Sequence, residues 1–283
     1  MNWLSSITQR AIGGRFTSLL VKLQRQLMTY AEYIIGGGRG RELFLVKLLE
    51  RHYTSKFRRQ WILSVESPHF FDHRMGFFWL AFTGNGRGPY SYFRGFFTSE
   101  ILRDGDRLLD IGCGDGFLDR RFYAERCAHI DAIDIDTSAV SAAKSYHRAP
   151  NINYHLLDAI SQPFPGDKYN VIALDGPLGH IQPDGIGRLL EKICRVLASD
   201  GVFVGSESLG TEGADHLQSF KSLDDVYHLF KPYFRYIELR SVQYRIGPHK
   251  NPFLREEAYW RCSNDSSRLQ ECHWHEFRNI SNT

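Results

Sequence analysis

The stretch Leu108-Leu109-Asp110-Ile111-Gly112-Cys113-Gly114-Asp115-Gly116-Phe117-Leu118 decides how the rest of this chain is interpreted. An apolar run leads into glycines at alternate positions and then into sequence that favours a helix, which predicts a buried strand, a tight turn and a helix start. Alternate glycines allow positive φ and leave the backbone bare, so that a ligand can lie against it. We therefore interpret the turn as a ligand site, with a glycine-rich turn that holds no ligand as the alternative.

The spacing and the charge of this turn indicate the kind of ligand. A dinucleotide-binding turn has glycines at the first, third and sixth positions, but the sixth position counted from Gly112 is Phe117. Asp110 and Asp115 would repel a diphosphate and favour a ligand with positive charge, which argues against an NAD-linked reductase. S-adenosylmethionine (SAM) has a sulfonium group, an ammonium group and no phosphate, and is the predicted cofactor.

At these residues the sequence resembles the class I SAM-dependent methyltransferases, whose first motif is an acidic residue followed by alternating glycines. The resemblance implies an α/β fold with a doubly wound, mostly parallel sheet of seven strands and an antiparallel edge hairpin. We expect residues 89–262 to form this SAM-binding core. Residues 1–88 are predicted to form an N-terminal helical cap with an aromatic-rich segment, and residues 263–283 a polar C-terminal tail.

Acidic residues also follow the next two predicted strands. Asp134 ends the second strand, where its two carboxylate oxygens could accept hydrogen bonds from two ribose hydroxyls. Asp136 then caps the next helix, although these two acids could exchange roles. Asp158 ends the third strand, and the resemblance implies that it accepts from the adenine amino group while the neighbouring main chain recognises the ring edge. The alternative for Asp158 is an Asx-turn.

The predicted cofactor site also takes residues from the segment ahead of the first strand. In the resembling family this segment often covers the cofactor, and Tyr92 and Arg94 are its best candidates for reaching the ligand, with plain packing of the aromatic cluster as the alternative. The complete set of predicted cofactor-binding residues is Asp110, Gly112, Cys113, Gly114, Asp134, Ile135, Leu157, Asp158, Ala159, Asp175, Tyr92 and Arg94.

The candidates for catalysis are the last residue of the fourth predicted strand, Tyr169–Asp175, and a histidine that follows it. Ligands of open α/β sheets bind beyond the carboxyl ends of the strands, so we expect Asp175 and His180 to face the transferred methyl group or its acceptor. His180 matches a position where many family members carry a histidine, and it could take a proton from an acceptor hydroxyl. The alternative is a packed histidine at a helix start.

The nature of the acceptor is indicated only indirectly. The segment Asp175-Gly176-Pro177-Leu178 lacks the Asn/Asp-Pro-Pro-aromatic signature that the family's adenine and glutamine N-methylating members use. We therefore expect methylation at oxygen, on a small-molecule, saccharide-like or lipid-linked acceptor. RNA methylation and a non-catalytic, partner-binding role are the alternatives, and the oligomeric state is left open.

The charge of the chain is concentrated near its N-terminus. The protein has 283 residues and a net charge of +3, but residues 1–60 contain 11 Lys and Arg against three Glu. Amphipathic helices are predicted over residues 16–35 and 42–61. Such basic helices suggest an anionic partner, either a membrane surface contacted peripherally or, less favoured, a nucleic acid, although a solvated helix face is the simpler interpretation.

The cysteines favour a reducing compartment. Five cysteines lie scattered without a repeated spacing, so no disulfide framework is predicted, and with no signal-like N-terminus or long apolar run we expect a cytoplasmic protein. Cys262, Cys272, His273 and His275 match no common zinc spacing, and no metal is predicted.

Overall fold

The structure is a computed structural model that describes residues 26–27, 44, 47–48, 51–52, 73, 90–210, 216–246, 253–270 and 278–279. The chain divides into two compact units, residues 1–56 and 57–283. The described residues of the first unit are all helical and lie within the two helices predicted there. The remainder of the basic cap lies outside the described residues, and so do Cys272, His273 and His275.

A mixed sheet forms the centre of the second unit. In the described part of the chain its strands are β1 (Arg107–Ile111), β2 (His129–Asp134), β3 (Ile152–Leu156), β4 (Tyr169–Asp175), β5 (Leu197–Leu209), β6 (Tyr236–Ile246), β7 (Phe253–Ser263) and β8 (Arg278–Asn279). Their order across the sheet is β3-β2-β1-β4-β5-β7-β6-β8. The five strands from β3 to β5 are parallel, whereas β7 is antiparallel to both β5 and β6. The predicted seven strands and antiparallel edge hairpin are confirmed, and the two-residue β8 extends that edge.

In the second unit, the structure gives the bounds of five α-helices that accompany the sheet. They are α1 (Tyr90–Ser99), α2 (Thr137–Tyr146), α3 (Pro183–Val196), α4 (Leu223–Phe230) and α5 (Ser267–Gln270). Asp136 is the N-cap of α2, where its carboxylate accepts from the N–H groups of Ser138 and Ala139. The cap role predicted for Asp136 is therefore confirmed. Among the described residues, none of the helices is both long enough and apolar enough to cross a bilayer.

Apolar side chains from alternate strand positions cover the two faces of the sheet. Leu109 and Ile111 of β1 belong to the cluster that includes the buried residues of α3, whereas Leu108 belongs to the opposite cluster with Phe97 and Tyr123. Because side chains alternate along a strand, Asp110 points to the same face as Leu108. The carboxyl group of Asp110 therefore lies in the interior at the end of β1, on a face that is otherwise apolar.

The last described helix packs against the start of β1. Arg268 is buried, donates to the carbonyl of Ile101 at 2.8 Å and forms an ion pair with Asp106. Arg261 of β7, also buried, donates to the carbonyl of Phe97 at 2.9 Å. These two arginines hold the C-terminal end of α1 and the chain that follows it. Part of the segment predicted as a polar tail is thus packed on the core.

Asp131 of β2 interacts with three polar side chains, at the end of the sheet opposite to the glycine turn. It accepts from the hydroxyl of Tyr169 at 3.0 Å, and the Nε2 atoms of His155 and His129 each lie 3.1 Å from its carboxylate. Burial opposes its ionisation, but the hydrogen bonds from these three residues outweigh burial and lower the pKa of Asp131.

Replacing Asp131 by asparagine is therefore expected to lower the free energy of unfolding by about 1–2 kcal/mol at neutral pH. A lowered pKa in the folded state contributes stability above the unfolded pKa of about 4 and loses it as the pH falls through the folded value. The difference between wild type and variant, measured by urea unfolding, should therefore shrink below about pH 4. A difference that is constant with pH would contradict this account.

Candidate functional site

The glycine turn adopts the conformation that its sequence predicts. The φ angles are +77° at Gly112, +56° at Gly114 and +74° at Gly116. A Cβ atom on Gly112 would lie 2.5 Å from Pro177, and one on Gly116 would lie 2.4 Å from the hydroxyl of Tyr154. Gly112 is exposed and Gly114 is half-exposed. The turn therefore presents accessible backbone without side chains. A larger residue at Gly112 or Gly116 would clash with its neighbours and displace this backbone.

The turn lies at the edge of the sheet where ligands of this architecture bind. The strands β1 to β4 are parallel, so their carboxyl ends share one edge. The chain runs from β1 outward to β3 and then returns to β4 on the other side of β1, which creates a switch point between β1 and β4. The glycine turn, Asp134, Asp158 and Asp175 all follow the strands at this edge.

Asp134 is held in place by two backbone N–H groups. Gly114 donates to Oδ2 at 2.9 Å and Asp136 donates to Oδ1 at 2.8 Å. Burial raises the pKa of Asp134, and these two hydrogen bonds oppose the rise. The group is only partly buried, and each carboxylate oxygen retains acceptor capacity for a hydroxyl. The next residue, Ile135, has 58% of its surface exposed and gives an apolar face beside the carboxylate.

Asp158 is engaged by its own loop. It accepts from the N–H of Ile160 at 2.8 Å and from the hydroxyl of Ser161 at 2.5 Å, and the Ser161 hydrogen bond lowers its pKa. The contact with Ile160 is an Asx-turn, which was the alternative interpretation. Leu157 and Ala159 flank Asp158 and are half-buried. Recognition of adenine by these three residues stays a prediction.

A π-helical turn follows the glycines. Asp119–Tyr123 form this segment, and the N–H of Ala124 donates to the carbonyl of Asp119 at 2.8 Å. The side chain of Asp119 is fully buried, and neither of its oxygens receives a hydrogen bond from an N–H or O–H of a described residue. Burial raises the pKa of Asp119 to about 7 and raises that of Asp110 well above its usual range. The sequence did not identify Asp119.

Asp175 lies at the end of β4 among hydroxyl groups. Its carboxylate accepts from Ser206 at 2.9 Å, from Tyr123 at 3.3 Å and from Thr98 at 3.4 Å. Burial raises its pKa to about 6, although the charge of Arg94 opposes the rise. Asp175 is therefore an acid whose position is fixed by three hydroxyl donors, at the edge where the acceptor is expected.

Arg94 is part of a buried ion cluster. Its Nε and Nη2 atoms donate to the two carboxylate oxygens of Glu257 at 3.0 and 2.9 Å, and its Nη1 atom donates to the carbonyl of Asp175 at 3.3 Å. Arg255 donates to the same carboxylate at 2.6 Å, and the Tyr259 hydroxyl at 3.2 Å. Arg94 thus links α1 to β7 beside the site, and contact with the cofactor stays a prediction. Neither Glu257 nor Arg255 was identified from the sequence.

The segment ahead of β1 contacts the glycine turn. The ring of His73 stacks on that of Phe117 at 4.5 Å, and its main-chain N–H and Nδ1 atoms lie 3.0 and 2.9 Å from the carboxylate of Asp115. The ring of Tyr92 meets the same Phe117 edge-on at 5.7 Å. These contacts bring Tyr92, one of the predicted covering residues, next to the turn. Phe117 was considered in the sequence only as a missing glycine.

His180 lies in an anchored turn after β4. The 3-10 turn Leu178–His180 is held by buried Glu207, which accepts from the N–H of Gly179 at 2.9 Å. Gln218 donates to the carbonyls of Leu178, at the start of the turn, and of Ile181, just after it, at 3.0 and 2.8 Å. His180 itself is exposed, and its ring lies 4.4 Å from that of His216. In the described part of the chain, no group of three or more His, Cys, Asp or Glu side chains is arranged to hold a metal.

Comparison with known proteins agrees with this architecture. Residues 108–201 match a family model described as a methyltransferase domain. EEF1A lysine methyltransferase 4 of Mus musculus is 23% identical over 142 residues, which is 44% of this chain and 56% of that protein. Ribosomal protein L11 methyltransferase of Dictyoglomus thermophilum is 27% identical over 142 residues, 50% of this chain and 45% of that protein. Carboxy-S-adenosyl-L-methionine synthase of Nautilia profundicola is 30% identical over 151 residues, 52% of this chain and 62% of that protein.

The chain thus spans about half the length of the curated relatives it matches. Among solved structures, the YcgJ protein from Bacillus subtilis has a TM-score of 0.50 and 16% identity, and the match covers 60% of this chain and 97% of that one. This likeness concerns the fold. Residues 108–201, which include the glycine turn and the parallel strands β1 to β4, thus belong to a methyltransferase domain.

Proposed function

We propose that this protein transfers a methyl group from SAM to an oxygen atom of a small-molecule, saccharide-like or lipid-linked acceptor. The observation that carries the proposal is the glycine turn at the switch point, with Asp134 held by the N–H of Gly114 at 2.9 Å and with buried acids on either side of the turn. This arrangement supports binding of a nucleoside that carries positive charge and lacks phosphate.

The residues present fit SAM. Gly112 and Gly114 are accessible and carry no side chain, so a ligand could lie directly against their backbone. Asp134 would hold the ribose hydroxyls, and the exposed side chain of Ile135 would pack against one face of the adenine. The acids around the turn would favour the sulfonium and ammonium groups. When bound, SAM supplies a methyl group on a positively charged sulfur, which makes that methyl electrophilic.

The chain's own part in the reaction is positioning and proton transfer. Alignment of the acceptor oxygen with the methyl group can lower the barrier by several kcal/mol, about 7 or more in the best intramolecular models. The turn anchored by Glu207 and Gln218 supports a fixed position for His180. His180 would take the proton that the acceptor hydroxyl loses. The carboxyl group of Asp175, which is fixed by three hydroxyl donors, would line the space between the glycine turn and the acceptor.

Replacing His180 by asparagine is expected to lower kcat by about 100-fold while leaving the affinity for SAM within a factor of about three, because a general base acts on the acceptor and not on cofactor binding. His228→Asn, which changes an exposed histidine on α4, is the matched control and should keep full activity. The measurement is the rate of label transfer from methyl-labelled SAM. An unchanged kcat for the His180 variant would remove the proposed base.

The acceptor class is tested by identifying the molecules that receive the labelled methyl group. The purified protein is incubated with methyl-labelled SAM and either a small-molecule extract or a protein fraction, and the products are identified by mass spectrometry. Methylated oxygen in a small molecule supports the proposal. Label in protein, as the names of the EEF1A and ribosomal protein L11 relatives suggest for those enzymes, would overturn the acceptor assignment but not the use of SAM.

A further inference from the structure

The side chain of Lys192 in α3 contacts the loop that follows β3. Its Nζ atom donates to the carbonyls of Ala159 and Gln162, each at 2.5 Å, and to that of Ile160 at 3.5 Å. Lys192 is half-buried, and the same Nζ atom lies 4.4 Å from the centre of the Phe164 ring, within the range of a cation–π contact. A single ammonium group therefore engages three main-chain acceptors of this loop.

The loop also closes on itself through Asp158. The N–H of Ile160 and the hydroxyl of Ser161 donate to different oxygens of the Asp158 carboxylate. The N–H of Asp158 donates to Oε1 of Gln162 at 2.8 Å, and the N–H of Gln162 donates to the carbonyl of Asp158 at 3.0 Å. Each carboxylate oxygen keeps capacity for a further donor. The loop therefore fixes Asp158 while leaving its oxygens able to accept from a ligand.

Lys192 is a donor that comes from outside the loop, 33 residues after Ala159 in the chain. Three carbonyl oxygens that converge on one point repel one another, and an ammonium group with three N–H donors compensates this repulsion. The pKa of Asp158 is lowered by the hydrogen bond from Ser161 and, to a smaller extent, by the charge of Lys192. The lysine therefore acts both on the main chain of the loop and on its carboxylate.

We propose that Lys192 is a positioning residue for adenine: its ammonium group holds the loop in the conformation that lets Asp158 accept from the adenine amino group. The inference rests on the proposed function, because it requires SAM as the ligand, and it extends the site to a residue of α3. Lys192 acts through the carbonyls of Ala159 and Gln162. Loss of the ammonium group would release these carbonyls, and Asp158 would lose its fixed position beside the base.

The test compares two ligands that differ only in the base. They are S-adenosylhomocysteine, which is SAM without its methyl group, and the analogue that carries hypoxanthine. Hypoxanthine has a carbonyl oxygen where adenine has its amino group, so it cannot donate to Asp158 from that position. Calorimetric titration of the full-length protein gives both affinities. We expect wild type to prefer adenine by about 10- to 100-fold, which is the usual range for a hydrogen bond to a charged group.

The variant Lys192→Met removes the ammonium group and keeps a long, unbranched side chain. It should lower the affinity for S-adenosylhomocysteine about tenfold and reduce the preference for adenine to within a factor of about three. Lys168→Met, which makes the same change at an exposed lysine just before β4, is the matched control and should keep the wild-type preference.

Two outcomes of this titration would overturn the proposal. One is a folded Lys192→Met protein that prefers adenine as strongly as wild type does. The other is an equal loss of affinity for both ligands, because it would show that Lys192 supports the fold in general and not the recognition of the base.

A second readout needs no ligand. Amide hydrogen exchange of residues 158–162 should be about tenfold faster in Lys192→Met than in wild type, because the N–H groups of Ile160 and Gln162 lose fixed acceptors. Lys168→Met should exchange as wild type does, and unchanged exchange in Lys192→Met would overturn the proposal. Faster exchange in a protein whose wild type binds neither ligand would contradict the proposed use of SAM, whereas tight binding with an unchanged preference contradicts only the role of Lys192.

Discussion

The substitution Gly114→Val is expected to lower the affinity for SAM by about 100-fold or more, which corresponds to about 2.7 kcal/mol of binding free energy. Gly114 has a φ of +56°, a conformation that is a strained outlier for a β-branched residue. A relaxed backbone at this position would also move the N–H that donates to Asp134 at 2.9 Å. The two methyl groups of valine would further occupy the surface on which the ligand is proposed to lie.

The affinities of wild type and Gly114→Val are compared by calorimetry, and circular dichroism checks that the variant is folded. Gly105→Ala is the matched control. Gly105 lies just before β1, the strand that leads into the glycine turn, its φ is outside the left-handed region, and a Cβ atom on it would meet no other atom. The control should bind SAM as wild type does. A folded Gly114→Val protein whose affinity stays within a factor of about three of wild type would contradict the assignment of the turn.

Replacing Glu257 by alanine is expected to lower the free energy of unfolding by about 3–5 kcal/mol, because removing one partner of a buried ion pair leaves the other charge uncompensated. Glu257 is fully buried and accepts from both Arg94 and Arg255. Burial disfavours its charge, but the two arginines outweigh burial and lower its pKa. The variant would leave the guanidinium groups of Arg94 and Arg255 without that carboxylate.

Urea unfolding at neutral pH measures this loss, with Glu256→Ala as the control on the neighbouring, only partly buried position of β7. Because the folded pKa of Glu257 is lowered, its contribution is present above the unfolded pKa of about 4.3 and is lost as the pH falls through the folded value. The difference in the free energy of unfolding between wild type and variant should therefore decrease at acidic pH. A loss of less than about 1 kcal/mol at neutral pH would show that the cluster does not stabilise the fold.

The features that follow local rules could be predicted from the sequence. The glycine turn, the end of the second strand at Asp134 and the end of the fourth strand at Asp175 occur as predicted, because apolar runs bounded by glycine and acidic residues specify strand ends locally. Asp136 was identified as a helix cap for the same reason.

The features that depend on distant partners could not be predicted. Arg94 and Glu257 are 163 residues apart, and only the antiparallel pairing of β7 with β5 brings them together. Asp119 is buried at the start of a π-helical turn, a feature that no sequence rule signals. Strand β5 begins at Leu197, which pairs with Tyr169 of β4 ahead of a register shift, and that pairing depends on the distant strand.

The central claim is that the glycine turn and its acids bind SAM. Calorimetric titration of the purified wild-type protein with SAM tests this claim most directly, with NAD as the competing ligand. The account predicts saturable binding of one SAM per chain at micromolar concentrations and no binding of NAD. Absence of heat and of any melting-temperature shift with SAM at millimolar concentration, or tighter binding of NAD than of SAM, would contradict it.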